Sequence, residues 1–260
     1  MSTKIRLIIM NFLQFAVWGA YLTSMGSYLV NIHLASHIGM FYAMQGIVSL
    51  FMPAILGIIA DRWIPAQKLL SFSHLIAAVF MGLTGYYGMT HGTEAEFGIL
   101  FTFYSLSVAF YMPTLALSNS VAYTALDKAK LDTIKNFPPI RIFGTIGFIC
   151  SMWLTDLLGL QNTYGQFFSC ALIGLIYAGY ALTLPHCPTN QGGQSKSLVE
   201  ALGLRAFTLF KQKKMAIFSS SQCCSVYHYK SQMDLQIHLS AVSEVCQNMP
   251  KLSVYSMPTS

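Results

Sequence analysis

Six long apolar runs, separated by connections that alternately lack and carry basic residues, constrain this chain more than any other feature. The runs lie at about 7–31, 38–60, 69–90, 97–123, 139–158 and 163–184. They approach or exceed the ~20 residues that a helix needs to cross a ~30 Å hydrocarbon core. The connections after runs one, three and five (31–37, 90–96 and 155–164) contain no Lys or Arg. The amino terminus carries Lys4 and Arg6. The remaining connections and the segment after run six carry Arg62, Lys68, Lys128, Lys130, Lys135, Lys196, Arg205, Lys211, Lys213 and Lys214, and Arg141 stands at the mouth of run five on that same side. Basic residues are retained in the cytoplasm during insertion. The pattern therefore predicts an all-α, multi-pass membrane protein: a six-transmembrane-helix bundle over 1–186 with both termini cytoplasmic.

Composition excludes the main competitors. A chain 54% hydrophobic and 9% charged, with a mean hydropathy of +0.53, is too apolar for one soluble core of 260 residues. The net charge of +6 arises from residues scattered among short connections. No basic patch with interleaved aromatics exists, so no nucleic acid is expected as partner. Lys4 and Arg6 before an apolar run imitate a signal peptide, but the run is too long and lacks a small-residue cleavage site. The six cysteines show no CxxC spacing and no partner histidines, which points to neither a disulfide framework nor a metal site. No run carries paired carboxylates, a His/Asp cluster or an activated serine, so no catalytic residue, cofactor or enzyme activity is expected.

Several positions inside the runs are costly in hydrocarbon and need a reason. Gln14, Trp18 and Tyr21 recur at helical spacing and share a face of run one. An unpaired amide in lipid costs several kcal/mol on the order-of-magnitude scale for buried polar groups. That face therefore either looks into a wet cavity or makes a helix–helix hydrogen bond with Trp18 as a packing anchor. Runs two and four carry Pro53 and Pro113 in mid-helix, and Gly57, Gly82, Gly85, Gly144 and Gly147 would admit close helix approach.

The segment from Asn136 to Phe148, Asn-Phe-Pro-Pro-Ile-Arg-Ile-Phe-Gly-Thr-Ile-Gly-Phe, opens run five. Paired prolines suit a helix start, which places Arg141 about one turn inside, with Thr145 and Phe148 on its face. A guanidinium, a hydroxyl and an aromatic ring so aligned suit a polar ring bearing a sugar. The competing explanation is that Arg141 snorkels to cytoplasmic headgroups.

Gly57, Asp61 and Arg62, followed by Lys68, resemble the second-to-third-helix loop of the major facilitator superfamily, although Pro65, Ala66 and Gln67 depart from its usual glycine and arginine. The run FPPIRIFGTIGF closely resembles bacterial nucleoside:proton symporters, the nucleoside permeases of that superfamily. So do FLQFAVWGAYLTSMGSYL (12–29), FMPAILGIIAD (51–61), YMPTLAL (111–117) and LTLPH (182–186). The resemblance covers residues 5–218. It implies the amino-terminal half of a major-facilitator fold, a bacterial inner membrane location, and a central site for a nucleoside, moved together with protons. By resemblance Arg141, Thr145 and Phe148 line that site, with Gln14 and Trp18 as further substrate-binding candidates. The alternative from another class is a membrane scaffold or receptor fragment that does not transport. The residues favour no particular nucleoside and no oligomeric state.

The chain changes character after Phe218. Residues 187–214 read as the central cytoplasmic loop, and a seventh span starts at Met215 but is not continued. Residues 219–260 hold ten serines, three of the six cysteines and no apolar run long enough to cross. Back-translation of this tail, read one base earlier, gives a credible membrane helix resembling the family's seventh, with the Leu-Gln-Ile-Thr-Asn whose glutamine and asparagine contribute to nucleoside binding in the family. Residues 215–260 are accordingly read as an aborted seventh helix and an out-of-frame tail, and Cys223, Cys224, His228 and His238 receive no metal-site role. The chain so read is truncated and expected to be inactive alone. No carboxylate lies deep in runs one to six, because Asp61, Glu94, Glu96 and Asp156 all sit near their ends. The proton-carrying group is expected elsewhere.

Overall fold

An apolar solvent offers nothing to a peptide group, so each crossing segment must satisfy its own backbone, and the chain does so with helices. The computed structural model describes residues 2–185, without the side chains of Asp61 and Arg62. The loop motif expected of those two residues, the loop 187–214 and the tail 215–260 therefore lie outside the described residues. Seven α-helices follow in order: α1 (Thr3–Gly19), α2 (Met25–Asn31), α3 (Ile38–Arg62), α4 (Ala66–His91), α5 (Phe97–Lys128), α6 (Thr133–Leu157) and α7 (Gly165–Ala181). Runs two to five are each long and apolar enough to cross a membrane, while α7 is apolar but only 17 residues long.

Run one differs from the uninterrupted span expected over 7–31. It breaks after Gly19 and resumes at Met25. The carbonyls that the break exposes are answered from neighbouring helices: Thr155 donates to the Ala20 oxygen (3.2 Å) and Tyr42 to the Leu22 oxygen (2.7 Å). Tertiary partners thus replace the missing intrahelical donors.

Run five also starts earlier than expected. Asp132 caps α6 by accepting from the Ile134 and Lys135 amides at 2.9 and 3.4 Å. The prolines then fall inside the helix rather than at its start. Arg141 consequently lies about two turns from the start of the helix rather than one.

Helices consecutive across the bundle run antiparallel, whereas α1 with α6 and α3 with α5 run parallel, as the same-sense contacts Ala20–Thr155 and Gln45–Tyr104 show. The main pairings are α1 with α6, α4 with α7, α4 with α5 and α3 with α5, and α1 also touches α7 and α5. At one end Tyr180 donates to the Arg6 oxygen (3.0 Å), and at the other Asn31 donates to the Asn162 oxygen (3.0 Å). The apolar core divides into two clusters. One holds Tyr21, Met25, Leu29, Phe41, Leu100 and Phe167. The other holds Leu7, Leu56, Leu70, Val121, Ile140 and Leu184, and lies toward the end rich in basic residues. Between them polar side chains pin helices together: Ser107 donates to the Ala77 oxygen (2.7 Å) and Ser71 to the Ala178 oxygen (2.6 Å).

The α1–α6 pairing is a backbone contact. A Cβ on Gly147 would strike the Phe12 carbonyl oxygen, and one on Gly19 would strike that of Phe148. Of the glycines expected to admit close approach, Gly85, Gly144 and Gly147 do so, whereas Gly57 has nothing within 4 Å of its would-be Cβ.

Candidate functional site

Helix α1 separates two polar regions of opposite character. On the side facing α4 and α5, Gln14 is fully buried and uses both ends of its amide. Its Nε2 donates to Thr114 Oγ1 (2.8 Å), and its Oε1 stands 3.0 Å from His74 Nε2. With the amide oriented by Thr114, the imidazole Nε2 must be the protonated nitrogen, so His74 donates. Tyr111 donates to the Gln14 backbone oxygen (2.7 Å) and Thr114 to the Tyr111 oxygen, while the Tyr177 ring stands edge-on to His74 with centroids 4.1 Å apart. His74, Thr114 and Tyr111 are 0%, 0% and 2% exposed, so this layer is closed to water.

On the other side α1 meets α6. Arg141 and Phe148 are half-buried and Thr145 is exposed, at the one-face spacing read from the sequence. The Arg141 Cζ lies 3.8 Å from the centroid of the Phe15 ring. Trp18 links the two helices, its ring 6.3 Å from Phe15 and 6.1 Å from Phe148, the latter edge to face. Its indole N–H donates to Gln45 Oε1 (3.1 Å), and Gln45 donates to the Tyr104 hydroxyl (2.7 Å). Among the described residues Arg141 makes no hydrogen bond and no ion pair, so its guanidinium donors are unspent.

The structure thus brings Arg141, Thr145, Phe148 and Trp18 onto one open face and puts Gln14 behind it, sealed in a helix–helix network. Of the two alternatives open for run one, the hydrogen-bonded one describes Gln14, and Trp18 does both: it anchors packing and borders the open face. Gly57 belongs to α3, away from this face.

Three residues that sequence reasoning passed over complete the picture. His74 carried a signal, a lone imidazole within an apolar run. Gln45 carried the same signal in run two. Phe15 carried none, because an aromatic in a membrane run is ordinary and its importance comes from Arg141, more than a hundred residues away.

Comparison with known proteins bears on the family and the fold. The chain matches the family model described as nucleoside H+ symporter over residues 1–253. It is 41% identical over 220 residues to the xanthosine permease of Escherichia coli (strain K12) and 40% identical over 220 residues to the nucleoside permease NupG of the same organism. In each case 84% of this chain aligns with 51% of the relative, so the chain spans about half the length of the curated relatives it matches. A crystal structure of the nucleoside transporter NupG (D323A mutant) superposes with a TM-score of 0.74 at 39% identity, covering 84% of this chain and 53% of that one. The helical bundle is therefore the amino-terminal half of a major-facilitator fold, and the chain belongs to the nucleoside H+ symporter family.

Proposed function

We propose that this chain provides the amino-terminal bundle of a proton-coupled nucleoside transporter in the bacterial inner membrane, with its basic end cytoplasmic. Arg141 and Thr145 hydrogen-bond the nucleoside, Phe148 packs against it and Trp18 borders it. Gln14 acts from behind, holding α1 in register. The observation that carries this reading is the unspent guanidinium of Arg141, half-buried two turns inside α6 and aligned with Thr145 and Phe148. A charge held at such depth without a protein partner in the described residues is maintained for a ligand rather than for stability. Facilitator-type carriers bind substrate near mid-membrane between two bundles, the geometry this open face suits. Among the described residues no carboxylate sits in a helix interior, so we place the proton-carrying carboxylate outside residues 2–185. Transport, not catalysis, is the activity proposed.

Uptake of labelled uridine, in cells lacking their own nucleoside carriers and expressing the complete transporter that contains these residues, tests the reading. Arg141→Lys keeps the charge but loses the planar fork of donors, and uptake is expected to fall by more than about tenfold. Unchanged uptake would return Arg141 to a headgroup-facing role, whereas absence of uptake by the parent itself would support a non-transporting membrane protein. The orientation has its own test. Cysteines at Thr93 and Asn162 should react with an impermeant thiol reagent applied outside intact cells, and one at Gly192 should not; labelling of Gly192 from outside would reverse the assignment.

A further inference from the structure

We propose that Phe15 is the seat of Arg141, a positioning residue that sets the plane of the guanidinium, and that Gly144 is the cut-out that lets ring and guanidinium share one space. The inference rests on the transport reading for its consequence and on packing for its basis. The Arg141 Cζ stands 3.8 Å above the Phe15 centroid, and Phe15 is only 8% exposed, so the ring is fixed by its surroundings. One residue earlier Gln14 is bonded to both His74 and Thr114, which pins the rotation of α1 and with it the direction in which Phe15 projects. A Cβ on Gly144 would lie 2.6 Å from Phe15 Cδ2 and 2.9 Å from Arg141 Nη1. Any larger residue there displaces one partner or the other.

The chemistry of this seat differs from that of an ion pair. The face of an aromatic ring attracts a cation through its quadrupole, and a guanidinium lies flat on it. A carboxylate in that position would consume two donors and hold the arginine by its fork. Phe15 lies under the Arg141 Cζ and consumes no N–H, so the donors stay available to a ligand. Such a group favours an uncharged ligand that presents paired acceptors, such as ring carbonyls or vicinal hydroxyls, because no ion pair has to open before it binds. The aromatic series Phe15, Trp18 and Phe148 continues from the seat as an apolar wall on the same face.

The test compares Phe15→Leu, Phe15→Tyr and Arg141→Lys in the complete transporter, reading KM and maximal rate for uridine at matched membrane levels. Phe15→Leu should raise KM by about tenfold with the maximal rate largely kept, and Phe15→Tyr, which restores the ring, should return KM to within about twofold of the parent. A parental KM in Phe15→Leu beside a crippled Arg141→Lys would overturn the seat. If Arg141→Lys is itself harmless, the substrate-binding role of Arg141 falls, and the seat is judged by a measurement that needs no transport. Phenylglyoxal modification of the Arg141 peptide, followed by mass spectrometry in the 260-residue chain, should be several-fold faster in Phe15→Leu than in the parent or Phe15→Tyr. Equal rates in all three would overturn it.

Discussion

The Gln14 layer and the Arg141 face lie on adjacent sides of one helix and handle the same physical problem in opposite ways. In the layer, amide, imidazole and hydroxyl bond one another out of contact with water, and of the imidazole only Nδ1 stays without a partner. On the face, a cation keeps its donors free and leans on an aromatic ring, while its neighbour Thr145 is exposed. Polar groups in an apolar medium cost free energy in both places. A network that closes on itself serves architecture. One left open needs a ligand to complete it, and that difference separates the two regions better than residue type or sequence position.

The comparison can be broken outright at the helix pairing both regions share. Gly147→Val must push α6 off the Phe12 carbonyl and separate layer from face. We expect a cost at or above the ~3 kcal/mol end of overpacking effects, visible as loss of the monodisperse peak on size exclusion in mild detergent. Survival of that peak would mean that the α1–α6 contact is not as close as described.

Gln14→Leu attacks the sealed layer alone. It strands the His74 Nε2–H, worth ~1–3 kcal/mol when buried without a partner, while Thr114 keeps its bond to the Tyr111 oxygen, so thermal stability should drop clearly. Adding His74→Leu removes the stranded imidazole as well, and the double variant should recover part of the loss rather than add to it. Additive destabilisation would show that the two side chains are not coupled.

Thr145→Val sharpens the contrast from the open side. The residue is exposed, so melting should not move, while KM for uridine should rise about fivefold through the loss of one hydrogen bond of ~1 kcal/mol. A melting shift without a KM change would assign Thr145 to packing. The smallest effect belongs to Trp18→Phe, which keeps a ring beside Phe148 but removes the N–H that Gln45 accepts. It should cost ~1 kcal/mol of stability or less and change KM only about twofold, because Gln45 keeps its bond to Tyr104.

Much of the fold could be read along the chain, and for local reasons. Apolar runs of crossing length and the alternation of basic connections depend on neighbours in sequence and on the bilayer, and the helices of the structure follow them. Of the two misplacements one had a non-local cause and the other a local one. The break at Ala20 is tolerated because Thr155 and Tyr42 supply donors from other helices. The early start of α6 is fixed by the Asp132 cap, whereas the paired prolines suggested a later beginning. Of the proposed site, the shared face of Arg141, Thr145 and Phe148 was legible because one helix carries all three.

What the sequence determined by itself is therefore the class of molecule: an all-helical membrane bundle, the side of it that carries positive charge, and the single face of α6 that presents a cation, a hydroxyl and a ring. What the tertiary structure decided is the fate of the polar groups. Gln14 is sealed because Thr114 and His74 reach it from α5 and α4, and Arg141 is open and seated because Phe15 lies beneath it with Gly144 giving way. Helical periodicity is a property of residues three and four apart, so it can be read locally. Satisfaction of a buried polar group depends on partners brought together from distant runs, and only the packed bundle chooses them.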